Sequence, residues 1–305
     1  MPRVLIVGPG AIGSIFALLF SRSGSEVSVY HSSSSRLEQI KTDGLKLVLP
    51  DGSEETLNPE IFSAEKEHDL AVFTTKSYQL ECALKALLGR LNANHYLFLQ
   101  NGLKHVEIVS KYIHEREKVF FGVTTLGGYR ESHTKTVVAS IEGETLVAPF
   151  EEGTPLPGIL KLPFIKFHPS YKSILWTKAL INAAVNPLSA ILEVQNGELL
   201  RPGNFRIVRK TVDEIVALTR LLSIELTTGD PLGLVAEVLQ KTRNNRSSML
   251  QDIENGRRTE NGYISGYIVE LSRRLGVDMP ANEALYNLVK IKEGVTDESS
   301  SGSCQ

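Results

Sequence analysis

Two groups of residues have types and spacings suited to chemistry. The first is Gly8-Pro9-Gly10-Ala11-Ile12-Gly13, a G-x-G-x-x-G run directly after the apolar stretch Val4 to Val7. In a strand-to-helix context each glycine has a task. Gly8 permits the tight turn, Gly10 lets the backbone approach a pyrophosphate, and Gly13 lets the helix pack closely on the strand. The following helix start offers unpaired N–H groups and a positive dipole end to phosphates. The second group is Lys178, Asn182 and Asn186, spaced four and four among Ala179, Leu180, Ile181, Ala183, Ala184 and Val185. On a helix these three fall within an arc of roughly 80°. A lysine and two amides in so apolar a helix need partners, because unpaired buried polar groups are costly. The wet face of an amphipathic helix is the competing explanation of the stripe. Pro187 removes one backbone hydrogen bond and leaves the Ala183 carbonyl free, a disturbance tolerable beside a polar cleft.

The end of the second strand bears on the choice of dinucleotide. A carboxylate there would hydrogen-bond the adenosine ribose of NAD and repel the extra phosphate of NADP. The sequence instead runs Tyr30-His31-Ser32-Ser33-Ser34-Ser35-Arg36, with no acid before Glu38. Four hydroxyls and a guanidinium suit a 2′-phosphate, which favours NADPH and makes Ser32 and Arg36 its expected contacts. A flexible polar loop with a solvated Arg36 is the alternative. Thr74-Thr75-Lys76-Ser77 and Leu99-Gln100-Asn101-Gly102 each follow an expected strand, at the sheet edge where open α/β sheets bind ligands. Lys76 is placed to hold an anion or a ribose hydroxyl, and Asn101 to fix the nicotinamide side or the substrate.

These groups need a scaffold, and the first half of the chain reads as one. Val4 to Val7, Glu26 to Tyr30, Leu70 to Thr75, Tyr96 to Leu99 and Val119 to Thr124 read as strands, separated by helical segments such as Ala11 to Ser21 and Leu80 to Leu91. Such alternation implies an α/β, Rossmann-type, doubly wound and mostly parallel sheet. Thr136 to Val147 reads as strand, turn and strand around Glu142-Gly143-Glu144, an antiparallel appendage. Pro155, Pro157, Pro163 and Pro169, with Gly153 and Gly158, mark a junction near 165–172. Trp176 to Leu192, Arg206 to Leu222, Pro231 to Thr242 and Ser265 to Leu275 have helical periodicity, so an all-α C-terminal domain is expected. The expected division is 1–167 for the NADP-binding domain, 168–293 for the helical substrate and catalytic domain, and 294–305 for a polar, disordered tail.

Composition excludes several classes. The chain has 305 residues, 42% hydrophobic and 22% charged, and a formal net charge of -2; a nucleic-acid surface would need a basic excess. No apolar stretch approaches the about 20 residues of a membrane span. Cys82 and Cys304 make neither a disulfide framework nor a metal-ligand spacing, so no metal is expected and Cys82 reads as a small buried hydrophobe. A cytoplasmic protein is expected.

Further motifs add a resemblance. Ser247-Ser248-Met249-Leu250-Gln251-Asp252-Ile253 precedes Arg257-Arg258-Thr259-Glu260. Together with the glycine loop, TTKSYQ, LQNG, WTKALINAAVNPLSA and QNGELL, in this order and at these separations, they resemble the ketopantoate reductase family over about residues 1 to 292. The resemblance implies NADPH-dependent reduction of 2-dehydropantoate. It implies Lys178 as general acid and Glu260 as a substrate-site carboxylate. Asn101, Asn182, Asn186, Asn196 and Ser248 would hold substrate or organise the cleft, and Lys76 would line the cofactor and substrate cleft between the domains. The expected partner is a small 2-oxo acid, with neither nucleic acid nor membrane; the sequence leaves a homodimer open. The chain departs from the family pattern in three places. Ser32 stands where many relatives carry arginine, Asn261-Gly262 where an Ile-Asp step is common, and Ser265-Gly266 where Asn-Gly is common.

Overall fold

The apolar run at the N-terminus forms β1 (Arg3–Val7), buried at every position after Arg3, as a strand covered on both faces must be. In this computed structural model, which describes residues 1–294, β1 lies inside an eight-stranded sheet. The other strands are β2 (Glu26–Tyr30), β3 (Leu45–Val48), β4 (Glu54–Leu57), β5 (Glu60–Ile61), β6 (Glu67–Phe73) and β7 (Asn92–Phe98). They continue with β8 (Val119–Thr124), β9 (Gly127–Arg130), β10 (Lys135–Ser140), β11 (Thr145–Pro149) and β12 (Ile165–Phe167). The large sheet has the order β12-β11-β8-β7-β6-β1-β2-β5. All its neighbours are parallel except β11 against β8. With β2 on one side of β1 and β6 on the other, the strand order changes direction at β1, and the crevice outside its carboxyl end is where such sheets take ligands.

The remaining strands form a second sheet, β4-β3-β10-β9. This corrects the expectation for 136–147. Lys135–Ser140 and Thr145–Pro149 are both strands, but they do not pair with each other. β10 pairs with β9 and β3, whereas β11 joins the large sheet against β8. The helices in this half are α1 (Ala11–Arg22), α2 (Ser34–Asp43), α3 (Leu80–Leu87) and α4 (His105–Tyr112). α1 packs on β1 and β2 of the large sheet and on β3, β9 and β10 of the small one. That explains why Ile15, Phe16, Ala17, Leu18 and Phe20 are all buried: a helix covered on two sides is apolar around its circumference. Cys82 in α3 is half-buried rather than fully buried, and the other cysteine, Cys304, lies outside the described residues.

The later helices are α5 (Tyr171–Leu192), α6 (Pro202–Leu221), α7 (Pro231–Lys241), α8 (Ser248–Glu254), α9 (Ser265–Arg274) and α10 (Pro280–Lys292). No strand follows β12 among the described residues. α5 runs unbroken through Pro187. Pro202, Pro231 and Pro280 each open a helix, where the missing N–H costs nothing. Two compact units result. One comprises Met1–Gln100 and Glu107–Tyr171; the other comprises Asn101–Val106 and the chain from Lys172 on. The polar tail expected at 294–305 lies, after Gly294, outside the described residues. Among those residues no helix is long and apolar enough to cross a membrane, and no cluster of three His, Cys, Asp or Glu side chains could hold a metal ion.

Candidate functional site

In the first unit the glycine loop has the shape its motif requires. Gly8 has φ +87°, and a Cβ there would lie 2.6 Å from Thr75 Cγ2. A Cβ on Gly13 would lie 2.5 Å from both the Gly8 carbonyl and Thr74 Oγ1. Thr74 Oγ1 donates to the Gly8 carbonyl at 2.8 Å. At Gly10 the nearest atom is 3.9 Å away, so this face of the loop is open. Gly10 is also the N-cap of α1 and supplies no side-chain cap, so the first-turn N–H groups of Ala11, Ile12 and Gly13 are available to an anion. This donor set fits a dinucleotide pyrophosphate.

Around the loop the expected contacts sit differently from one another. Ser32 is exposed just beyond β2. Arg36 is buried: its Nη2 donates to the Pro9 carbonyl at 2.6 Å and its Nη1 to the His133 carbonyl. Burial, with the charge of Arg130 added, pushes its pKa down to about 10, so it remains a cation at neutral pH. Lys76 is half-buried after β6, one residue beyond the Thr75 that touches Gly8. Gln100 joins the same edge, with Nε2 donating to the carbonyls of Phe73 and Thr75 at 2.9 and 3.2 Å.

In the second unit Lys178, Asn182 and Asn186 share one face of α5. Asn182 and Asn186 are mostly buried, and their side-chain amides make no hydrogen bond among the described residues. Lys178 is half-buried, and desolvation lowers its pKa from the ordinary lysine value. Glu260 is buried and accepts from Asn101 Nδ2 at 3.0 Å. The turn that carries Glu260 is pinned on several sides. Arg257 Nε donates to Asp252 Oδ1 at 3.0 Å, Thr259 N to Glu293 Oε1 at 2.8 Å, and Asn261 Nδ2 to the Tyr286 carbonyl at 3.0 Å. Ser248 is exposed in the first turn of α8, whereas its neighbour Ser247 caps that helix and accepts from Ser189 of α5 at 2.6 Å. The Asn196 amide is engaged with Thr242 Oγ1 at 2.9 Å. The structure thus joins Asn101 to Glu260 and sets the lysine and two amides in one row. Asn196 is held in a local bond to the end of α7.

The description "Ketopantoate reductase PanE/ApbA" matches residues 4–152, and "Ketopantoate reductase PanE/ApbA C terminal" matches residues 170–293. The chain belongs to the ketopantoate reductase family. It is 33% identical to the 2-dehydropantoate 2-reductase of Archaeoglobus fulgidus, covering 94% of this chain and 97% of that one. It is 31% identical to the Vibrio cholerae enzyme of the same name, covering 95% and 98%. Among solved structures, the PanE/ApbA family ketopantoate reductase from Ralstonia eutropha superposes with TM-score 0.85 at 26% identity, covering 96% of this chain and 98% of that one. D-mandelate dehydrogenase with NADH and anilino(oxo)acetate superposes with TM-score 0.88, also at 26% identity and with the same coverages.

One departure from the ketopantoate reductase pattern after Glu260 has a visible structural role. Asn261 is the residue that pins the turn to the Tyr286 carbonyl. Gly266 is shared with that pattern, and a Cβ there would lie 2.7 Å from the Tyr286 ring. One residue escaped the sequence reading altogether. His105 is fully buried, and burial pushes its imidazole down to about 4, against opposing pulls from the Glu260 carboxylate and a hydrogen bond with the Gly102 backbone. A histidine at the first position of a helix carries no sequence signal for this. It has a consequence for stability. The unfolded chain takes up a proton near the ordinary value of 6.5 and the folded protein only near 4, so folding stability falls as pH drops through that window. The loss is roughly 3 kcal/mol. Urea unfolding at pH 7 and pH 4.5 should show it in the wild type and a smaller loss in His105→Leu; equal losses would refute the assignment.

Proposed function

We propose that this chain reduces 2-dehydropantoate to (R)-pantoate with NADPH, a step in pantothenate and coenzyme A synthesis, as a cytoplasmic enzyme. The observation that carries this reading is the α5 face. It presents an ammonium, Lys178, and two side-chain amides that make no hydrogen bond among the described residues, within a chain matching the family over both of its parts.

The glycine loop from Gly8 to Gly13, Pro9 included, holds the pyrophosphate through backbone N–H groups. Ser32 serves the adenosine side, Arg36 braces the glycine loop through the Pro9 carbonyl, Lys76 lines the cofactor and substrate cleft, and Asn101 stands at the boundary between cofactor and substrate. When bound, the cofactor supplies a hydride to the keto carbon. Reduction leaves negative charge on the keto oxygen. The Lys178 ammonium stabilises that charge and delivers the proton from Nζ, where electrostatic help counts most. Depression of its pKa by burial makes it a better acid than an exposed lysine. Asn182 and Asn186 orient the 2-oxo acid by hydrogen bonds, with Ser248 and Asn196 supporting the carboxylate side. Glu260, fixed by Asn101, accepts a hydrogen bond from the substrate hydroxyl.

A second reading has one observation in its favour: the likeness to D-mandelate dehydrogenase, which places a reductase of another 2-oxo acid on this fold. NADPH oxidation with 2-dehydropantoate, benzoylformate and unsubstituted 2-oxo acids separates the two. A site that hydrogen-bonds the substrate hydroxyl should favour 2-dehydropantoate in kcat/KM by roughly 10²-fold or more over analogues lacking it. Faster turnover of benzoylformate would transfer the assignment to the second reading, and tight NADPH binding with no turnover of any oxo acid would mark a dinucleotide sensor.

A further inference from the structure

Ser32 stands just beyond β2 and is exposed. The other contact expected there, Arg36, points inward. Its guanidinium bridges the Pro9 carbonyl of the glycine loop and the His133 carbonyl in the turn between β9 and β10. That bridge fastens the β9–β10 hairpin beside the end of β2 and brings its basic residues there. The charges acting on His31 are those of Arg36, Arg130 and His133, each of which lowers its pKa, as burial does most strongly. Arg130 acts on Arg36 in the same direction. Like charges gathered in one place repel, and an anion relieves that repulsion.

Other features of the cluster point to the same kind of ligand. His31 Nδ1 accepts from the Ser33 N–H at 2.9 Å, so in the neutral ring the proton sits on Nε2, which is left as a donor. Ser33 and Ser35 hydroxyls lie 2.9 Å apart, and Ser32 and Ser34 are exposed beside them. Arg36 Nε is buried and has no hydrogen-bond partner. This group of donors stands at the carboxyl end of β2, next to the strand that leads into the glycine loop. A dinucleotide with its pyrophosphate on that loop directs its adenosine ribose there.

We infer that the 2′-phosphate of NADPH is held by Arg130 of the β9–β10 hairpin together with His31 and the Ser32–Ser35 hydroxyls. The inference rests on the NADPH reading above. It places the charged contact on a hairpin of the second sheet rather than on the loop after β2.

The test uses the full chain and two adenosine fragments, 2′,5′-ADP and 5′-AMP, titrated by calorimetry without any oxo acid. The wild type should bind 2′,5′-ADP at least about 10-fold more tightly than 5′-AMP, the order expected of a charge-assisted phosphate contact. Arg130→Gln should remove most of that ratio and leave 5′-AMP affinity unchanged, which also reports that the site is folded. His31→Phe should remove a smaller part. A ratio preserved in both variants would overturn the inference and leave the NADPH reading standing. Equal wild-type affinity for the two fragments would overturn both.

Discussion

Lys178→Ala should lower kcat by about 10²–10⁴-fold, the range over which general acid catalysis contributes, with NADPH affinity nearly unchanged. The separation follows from where the groups lie in the sequence and structure. In the proposed reading the phosphates rest on backbone N–H groups of the glycine loop in the first unit, and Lys178 belongs to α5 in the second. The variant should fold, because burial penalises the lysine charge and removing that charge from an apolar helix relieves the penalty. A pH profile gives the result a second signature. Desolvation lowers the Lys178 pKa, and in the proposed mechanism the protonated form is the active one. The wild-type rate should therefore be held at low pH and fall on the alkaline side, below the ordinary lysine value of 10.5. Lys178→Arg keeps the charge but hardly releases a proton, so it should rescue poorly and lose the alkaline limb. A folded Lys178→Ala with near wild-type kcat would take Lys178 out of the mechanism.

Gly102→Ala should be the most damaging single methyl added to the protein. Gly102 has φ +85°, and a Cβ there would lie 2.6 Å from the Tyr263 carbonyl carbon, closer still to its oxygen, and 3.1 Å from Ile264 N. The obstacle is backbone, so no rotamer change relieves it. Left-handed strain costs about 1–2 kcal/mol and overpacking typically about 1–3 kcal/mol, a large share of a stability that is usually about 5–15 kcal/mol. The loop must also move away from the turn bearing Glu260, lengthening the 3.0 Å bond from Asn101, so the KM for the oxo acid should rise in whatever remains folded. Gly24→Ala is the control, because Gly24 has φ +83° and nothing within 4 Å. It should show the backbone strain alone. Urea unfolding that finds the two variants equally stable would refute the steric argument.

Much of this was legible in the residues. The βαβ order followed from short apolar runs such as Val4 to Val7, which only a doubly covered strand makes sense of, and the helices after Tyr171 followed from periodicity. Pro187 did not break α5, because a buried helix packed by its neighbours tolerates one missing bond. The second sheet was missed. Its strands β3 and β4 are short and half-polar, and β10 pairs with β9 and β3 rather than with β11, the strand that follows it in sequence. A signal was present in α1: Ile15, Phe16, Leu18 and Phe20 cover more of its circumference than one sheet can bury, so something had to lie on the other side. The row of Lys178, Asn182 and Asn186 was readable from spacing. The bond from Asn101 to Glu260 was not, because it joins residues 159 apart and no local pattern encodes it. Arg36 is a different case: its residue type suggested a ligand contact, and the structure shows it buried and bonded to the Pro9 and His133 carbonyls.

The assignment of Asn101–Val106 to the second unit, within a chain segment otherwise belonging to the first, bears on how the gene could be divided. The chain passes from one unit to the other after Gln100, after Val106 and after Tyr171, so no single cut yields two complete pieces. A fragment ending at the proline-rich junction would carry away Leu103, whose N–H donates to the Tyr263 carbonyl at 3.0 Å, and would leave Glu260 without its asparagine. Grafting the helical half onto a foreign dinucleotide-binding half would bring the wrong six residues with it. For this protein, recombination or domain shuffling has to respect a short insert as well as a boundary.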